Sequence, residues 1–190
     1  HTSSTKSYRK FFIHFIDYFC FFKIANVLHM KELLVALTRY NVWANTIICN
    51  LLEGIEESVV NNQIHSSFGT IRKTVEHIWM AESVWMQRLQ MTESITLPNE
   101  AFTGSFKDVC KEWLQCSNNL LDFTAKIKDQ RGFDHQFHYH SLKKELCKST
   151  VAECIQHICN HSTFHRGQLI HFLRQEGVDK IPSTDFITFT

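Results

Sequence analysis

Three histidines at four-residue intervals stand out near the end of the chain: His157, His161 and His165. Side chains four residues apart on an α-helix project from one face, so neighbouring imidazoles in this series can reach a single divalent ion. Histidine makes up 12 of the 190 residues, and this composition alone produces fewer than one pair at such spacing. The segment is therefore a candidate for metal or proton chemistry.

The position of these residues on the predicted helix is more informative than their spacing. With an advance of about 100° per residue, His161 and His165 fall in the middle of the apolar stripe, whereas His157 falls toward its edge. A neutral imidazole in a core must satisfy both ring nitrogens. A shared metal ion would satisfy His161 and His165 together, and two hydrogen-bonded core histidines are the structural alternative.

A metal site in a helical bundle needs a further ligand from a facing helix. His77 lies on the edge of an earlier apolar stripe. Together with His161 and His165 it would complete a three-histidine set, which leaves a coordination position for water or substrate. A fourth protein ligand, either His157 or a cysteine, would instead indicate a structural site. Di-iron chemistry is excluded, because none of these histidines has Glu three residues before it.

A second group, with the spacing H-x-x-H-x-H, comprises His135, His138 and His140. It is a less favoured candidate for another metal site. The surrounding residues, 133–148, alternate in part between apolar and polar types. This pattern predicts a short hairpin or an irregular crossing.

Four long helical patterns position these candidate residues. They cover residues 30–53, about 70–91, about 105–129 and 150 to about 176. Capping boxes are indicated where the last two begin, at Ser105 with Asp108 and at Thr150 with Glu153. Gly54, Arg131-Gly132 and Gly177 are predicted to end helices. We expect an all-α fold, a four-helix bundle. The long connections before the second and fourth helices allow a crossover.

Residues 1–29 differ in composition from the rest. They hold four basic residues against Asp17 and six of the 16 phenylalanines, whereas residues 30–190 carry 16 basic and 18 acidic residues. Charged residues such as Asp17 and Lys23 interrupt the apolar run, which makes it a poor membrane span and a poor signal peptide. We expect an N-terminal extension, residues 1–29, outside a functional domain of residues 30–190.

The overall charge and the cysteines restrict partners and location. A net charge of +1 favours no nucleic-acid or membrane partner. Seven cysteines without a C-x-x-C pair are typical of reduced thiols in a cytoplasmic protein.

Three segments resemble the DinB-like family, and the resemblance covers about residues 30–177. They are Arg39-Tyr-Asn-Val-Trp43-Ala-Asn45, Ser66-Ser-Phe68-Gly69-Thr-Ile-Arg72 leading into Val75-Glu-His77, and Asn160-His161-Ser-Thr-Phe-His165-Arg166-Gly167-Gln168. The resemblance implies a four-helix bundle with a crossover connection, a homodimer, and a metal held by His77, His161 and His165. Relatives include metal-dependent transferases that use low-molecular-weight thiols such as bacillithiol or mycothiol.

The resemblance implies a metal-dependent thiol S-transferase acting on a small-molecule substrate. Its cofactors would be a divalent metal (Zn, Ni or Fe) and a low-molecular-weight thiol, whose pKa the metal would lower. Candidates to orient the ligands or contact the cofactor are Asn160, Arg166, Gln168, Trp43 and Asn45. Structural alternatives are a core position for Trp43 and a salt bridge for Arg166.

Two other functions remain open on the same residues. Metal-assisted hydrolysis would need a general base, for which Glu76 and Glu82 are nominal candidates. A non-catalytic metal-binding or dimerisation module would need neither a base nor an open coordination position.

Overall fold

The computed structural model describes residues 30–141 and 143–189, so the predicted extension at residues 1–29 lies outside the described residues. In chain order the elements are α1 (residues 30–53), α2 (Glu57–Asn61), α3 (Ile71–Leu89), α4 (Phe106–Lys126), α5 (Gln130–Asp134), β1 (Gln136–His140), β2 (Leu146–Thr150), α6 (Val151–Gln175) and α7 (Phe186–Phe189). The fold is mostly helical, as predicted. None of the helices in this part of the chain is long and apolar enough to cross a membrane.

Local capping chemistry determines where two of the long helices begin and one ends. The predicted capping boxes of Ser105 with Asp108 and of Thr150 with Glu153 are both present, at the starts of α4 and α6. Gly177 follows α6 with φ +82°, a left-handed conformation that glycine adopts without a steric penalty. These three signals act over a few residues, which is why the sequence predicts them well.

The connection between α4 and α6 contains the predicted hairpin. Strands β1 and β2 pair antiparallel, with Gln136 opposite Thr150. Gly132 was expected to end the third helix, and that expectation is wrong. Helix α4 already ends at Lys126, and Gly132 lies inside α5, where its amide is close to the Asp129 side chain at the N-cap.

Two apolar clusters show the direction of α6 relative to α3. One cluster contains Ile71 from the start of α3 and Leu173 from the end of α6. The other contains Leu89 from the end of α3 and Val151 from the start of α6. The two helices are therefore antiparallel.

Helices α3 and α4 run parallel, which locates the crossover. Phe106, at the start of α4, shares a cluster with the start of α3, and Leu120 shares one with its end. Residues 90–105 must therefore return along the bundle, and the ring of Phe102 packs 5.0 Å from that of Trp79. The crossover is therefore present, but it precedes the third long helix and not the second or the fourth, whose long connections would have allowed one. Sixteen residues, at about 3.3 Å each, easily span a 19-residue helix of about 28 Å.

Candidate metal centre

Helices α3 and α6 bring His77, His161 and His165 together. The Nε2 atom of His161 lies 3.2 Å from that of His77 and 3.1 Å from that of His165. One ligand atom from each residue lies within 4.8 Å of the others. Tetrahedral bonds of about 2.0–2.1 Å would hold two nitrogens about 3.3 Å apart. The group could therefore hold a metal ion.

The protonation of His165 is determined by its neighbour one turn along α6. Its Nδ1 lies 2.7 Å from Oε1 of Gln168. Because an amide oxygen only accepts hydrogen bonds, Nδ1 carries the proton and Nε2 presents a lone pair toward His161. Such a contact orients a histidine ligand and increases its basicity.

Burial keeps the other two imidazoles neutral. Desolvation, with a smaller contribution from the nearby His165, lowers the pKa of His77 to about 4. Desolvation and the neighbouring histidines lower the pKa of His161 to about 3. At neutral pH the centre is therefore an uncharged set of nitrogen donors, which is the form that binds a metal ion.

Only three metal-ligating side chains belong to this group among residues 30–141 and 143–189. His157 is exposed, and its ring packs edge-on to Trp85 at 4.8 Å and lies 5.9 Å from the ring of His161. It is not a member of the group, and neither is any cysteine in the described part of the chain. The described residues therefore leave a coordination position for a non-protein ligand.

Two phenylalanines border the centre. The ring of Phe68 stacks on His77 with centroids 4.3 Å apart and meets His165 edge-on at 5.4 Å. Phe164 lies 5.0 Å from the ring of His165 and is 64% exposed. Neither phenylalanine was predicted from the sequence to have a role. The sequence signal near Phe68 is the adjacent Gly69, because glycine favours turns. In the structure Gly69 has φ +80° and precedes the start of α3.

The five residues predicted to contact the cofactor occupy different environments. Gln168 contacts His165, as described above, and Asn160 is exposed on α6. The partly buried Trp43 packs on Phe189, with ring centroids 5.6 Å apart. The other two, Asn45 and Arg166, lie in the bundle core.

Asn45 and Arg166 hydrogen-bond to each other in the core. The guanidinium of Arg166 donates to Oδ1 of Asn45 at 2.7 Å and to Oδ1 of Asn41 at 2.7 Å. Arg166 is only 1% exposed. It is therefore not the surface or helix-end salt-bridge residue that the sequence left open.

The two nominal general bases have other partners. Glu76 pairs with Arg72 at 2.9 Å. Glu82 is 2% exposed and accepts hydrogen bonds from side chains of three other helices. Of the residues in the proposed second metal site, His138 and His140 project from β1 as exposed side chains, and they belong to no three-ligand group in the described part of the chain.

Comparison with known proteins agrees with this architecture. The family model described as DinB family matches residues 29–189. The chain belongs to the DinB family. Protein DinB of Bacillus subtilis (strain 168) is 25% identical to this family member over 166 residues, covering 83% of this chain and 93% of that relative.

A solved structure of the DinB-like type has the same fold. It is the crystal structure of a DinB-like protein from Bacillus subtilis, with a TM-score of 0.59 and 13% identity, covering 78% of this chain and 97% of that chain. At this identity the likeness shows the fold alone. The capacity of the three-histidine group to hold a metal therefore rests on the contacts of this DinB family member itself.

The lowered pKa values predict how the stability of the metal-free protein depends on pH. Below pH 6.5 the unfolded chain protonates His77 and His161, whereas the folded protein resists protonation down to about pH 4 and 3. The folded state binds fewer protons, so its stability is expected to fall as the pH decreases from 6.5 toward 4. The expected slope is about 1 kcal/mol per pH unit for each histidine, after allowing for solvent screening.

Urea unfolding of metal-free protein between pH 7 and pH 4 measures this dependence. His161→Ala should flatten the decline, whereas the exposed His171→Ala on the same helix should leave it unchanged. Equal declines in the two variants would show that the buried imidazoles are not its source.

Gln168→Ala is expected to weaken metal binding by about 10- to 100-fold, because it removes the acceptor that orients His165. The measurement is competition with a chromophoric chelator. Gln156→Ala, at an exposed position of the same helix, is the matched control and should bind as the parent does. Equal affinities for the two variants would refute an orienting role for Gln168.

Proposed function

We propose that this DinB family member is a metal-dependent thiol S-transferase. His77, His161 and His165 would hold a divalent ion, which is Zn, Ni or Fe. The observation that carries the proposal is the group of three neutral imidazoles, with no fourth metal-ligating side chain among the described residues. Three-histidine sites of this kind are typical of catalytic rather than structural metal centres.

When bound, the ion would lower the pKa of a low-molecular-weight thiol, which would release its proton to solvent. The thiolate sulfur would then form a bond to an electrophilic carbon of a small molecule as the leaving group departs with its bonding electrons. The surrounding residues would provide position and environment. Gln168 keeps the lone pair of His165 Nε2 directed at the centre. Phe68 covers one side of two ligands, and the exposed ring of Phe164 offers an apolar surface to the substrate.

The contacts of the two glutamates favour transfer over hydrolysis. A hydrolase needs a base that can reach a bound water, but Glu82 is enclosed in the core and Glu76 is paired with Arg72. A non-catalytic metal-binding or dimerisation module is the remaining alternative. We propose a cytoplasmic homodimer as the assembly, and sedimentation analysis would test its stoichiometry.

The test uses the full chain loaded with Co²⁺, whose visible spectrum reports on its ligands. Cysteine, glutathione and a cysteinyl-glucosamine thiol would be added separately, followed by 1-chloro-2,4-dinitrobenzene as the electrophile. We expect at least one thiol to produce a sulfur-to-cobalt absorption band and to form a conjugate. Both signals should be lost in His77→Ala and retained in His171→Ala.

Other results would overturn the proposal. Stoichiometric cobalt with no spectral response and no conjugate from any thiol would indicate a non-catalytic module. Ester or amide cleavage without thiol consumption would indicate a hydrolase.

A further inference from the structure

A buried polar layer crosses the bundle beside the metal centre. We call it the Glu82 layer, and it comprises Asn41 and Asn45 from α1, Glu82 from α3, Ser117 from α4, and Ser162 and Arg166 from α6. All six residues are at most 2% exposed. Polar groups buried this deeply are costly unless they are hydrogen-bonded, so the contacts within the layer restrict how the four helices can pack.

The layer joins two opposite charges through amides rather than through a direct ion pair. Asn41 and Asn45 each donate from Nδ2 to Oε1 of Glu82, at 3.0 and 3.1 Å. Their Oδ1 atoms each accept from Arg166 at 2.7 Å. Both amides are therefore held in one orientation, with nitrogen toward the carboxylate and oxygen toward the guanidinium.

Two serines connect Glu82 to the helices on either side. Ser162 on α6 donates to Oε1 at 2.6 Å, and Ser117 on α4 donates to Oε2 at 2.6 Å. The two contacts match in residue type, burial and distance. Ser117 has two further contacts, because its Oγ accepts from Asn45 Nδ2 at 2.9 Å and lies 3.1 Å from the Trp113 carbonyl. For the metal centre the difference that matters is that α6 carries two of the three candidate ligands and α4 carries none.

The Ser162 contact lies within about one and a half helical turns of the metal centre in both helices. Ser162 directly follows His161 in α6, and Glu82 lies five residues after His77 in α3, about 7.5 Å along the axis. If α6 slipped by one turn, about 5.4 Å, the Ser162 contact would break and the imidazoles of α6 would move away from His77 at the same time. Apolar contacts restrict such a slip less strictly, whereas a buried polar contact can specify register.

We propose that Ser162 is a positioning residue, whose hydrogen bond to Glu82 sets the α3–α6 register that places His161 and His165 against His77. This inference rests on the proposed function, because it concerns the ligands of the same metal centre. Ser117 holds α4 to the same carboxylate and should not influence the ligand geometry.

The test compares Ser162→Ala with Ser117→Ala in the full chain. Thermal unfolding and competition with a chromophoric chelator for Zn²⁺ give Tm and Kd for each variant. Both substitutions should lower Tm. Only Ser162→Ala should raise the Kd for Zn²⁺, by about tenfold, the effect expected when a supporting contact of a ligand is lost. Equal Kd values in the two variants, or losses that simply follow Tm, would overturn the proposal.

A second measurement needs no metal. The ring resonances of His77, His161 and His165 in the metal-free protein report their mutual packing by NMR. Ser162→Ala should shift them and Ser117→Ala should not, and unchanged resonances in Ser162→Ala would overturn the inference. If the parent protein binds no metal, the proposed function fails, but this measurement still decides the positioning role. If Ser162→Ala does not fold, Ser162→Cys, which keeps a weak donor, replaces it in both measurements.

Discussion

His161→Ala is expected to abolish stoichiometric metal binding, with a loss of affinity of more than about 100-fold. His161 is the central ligand of the group, because its Nε2 is within 3.2 Å of both other Nε2 atoms. Without it, His77 and His165 alone remain on opposite helices. The decrease in metal affinity should exceed the decrease of about 10- to 100-fold that follows the removal of a contact supporting a ligand. Elemental analysis of protein purified without an affinity tag measures the stoichiometry.

His171→Ala is the matched control for this experiment. His171 lies on α6 and is exposed, so its removal changes the histidine content without touching the centre. This variant should retain the metal content of the parent protein. Unchanged stoichiometric metal in His161→Ala would show that the ion is bound elsewhere and would contradict the assignment of the centre.

Glu82→Ala is expected to destabilise the protein by about 3–5 kcal/mol. Glu82 is buried beside Arg166, and the two charges are joined through Asn41 and Asn45. Removal of the carboxylate leaves the guanidinium buried with no opposite charge, and a buried pair that loses one partner has a cost of this size. Urea unfolding of the metal-free protein at pH 7 measures the free energy of unfolding.

Glu76→Ala is the control that shows whether the cost of Glu82→Ala comes from the burial of Glu82 or from the loss of any carboxylate on α3. Glu76 lies on the same helix and pairs with Arg72, but both side chains are about a quarter exposed. Its removal should cost less than about 1 kcal/mol, as expected for an ion pair that water reaches. The double variant Glu82→Leu with Arg166→Met should recover part of the loss, because it removes both charges. If the two single alanine variants lost the same free energy of unfolding, Glu82 would contribute no more stability than the carboxylate of a surface ion pair.

The candidate ligands were predictable because their signals are local. The spacing of His161 and His165, and their place on the apolar stripe of one helix, follow from 3.6 residues per turn. The capping boxes at Ser105 and Thr150 likewise depend on contacts within three residues. His77 was predicted as the third ligand because it lies at the edge of the apolar stripe of another helix. Its distance from His161 could not be predicted from the sequence.

Local signals could not locate the crossover or the core charges. The segment between the second and third helical patterns contains Pro98, a residue typical of an ordinary loop. Only the parallel packing of α3 and α4 shows that residues 90–105 return along the bundle. From the sequence, Glu82 was a nominal general base and Arg166 a candidate cofactor contact. Nothing local indicated that both charges are buried, because charged residues are rarely buried unless paired. Their partners come from α1, more than a hundred residues before Arg166 in the chain.

The sequence by itself therefore determined the helical class, most of the helix boundaries, and which imidazoles could act as ligands. These properties depend on residues within a few turns of one another. Only the tertiary structure decided that the Nε2 atoms of His77 and His161 lie 3.2 Å apart across 84 residues. It also decided that Asn45 and Arg166 face the bundle core and not the metal centre. Both outcomes depend on how separate helices pack, which residues close together in the chain do not determine.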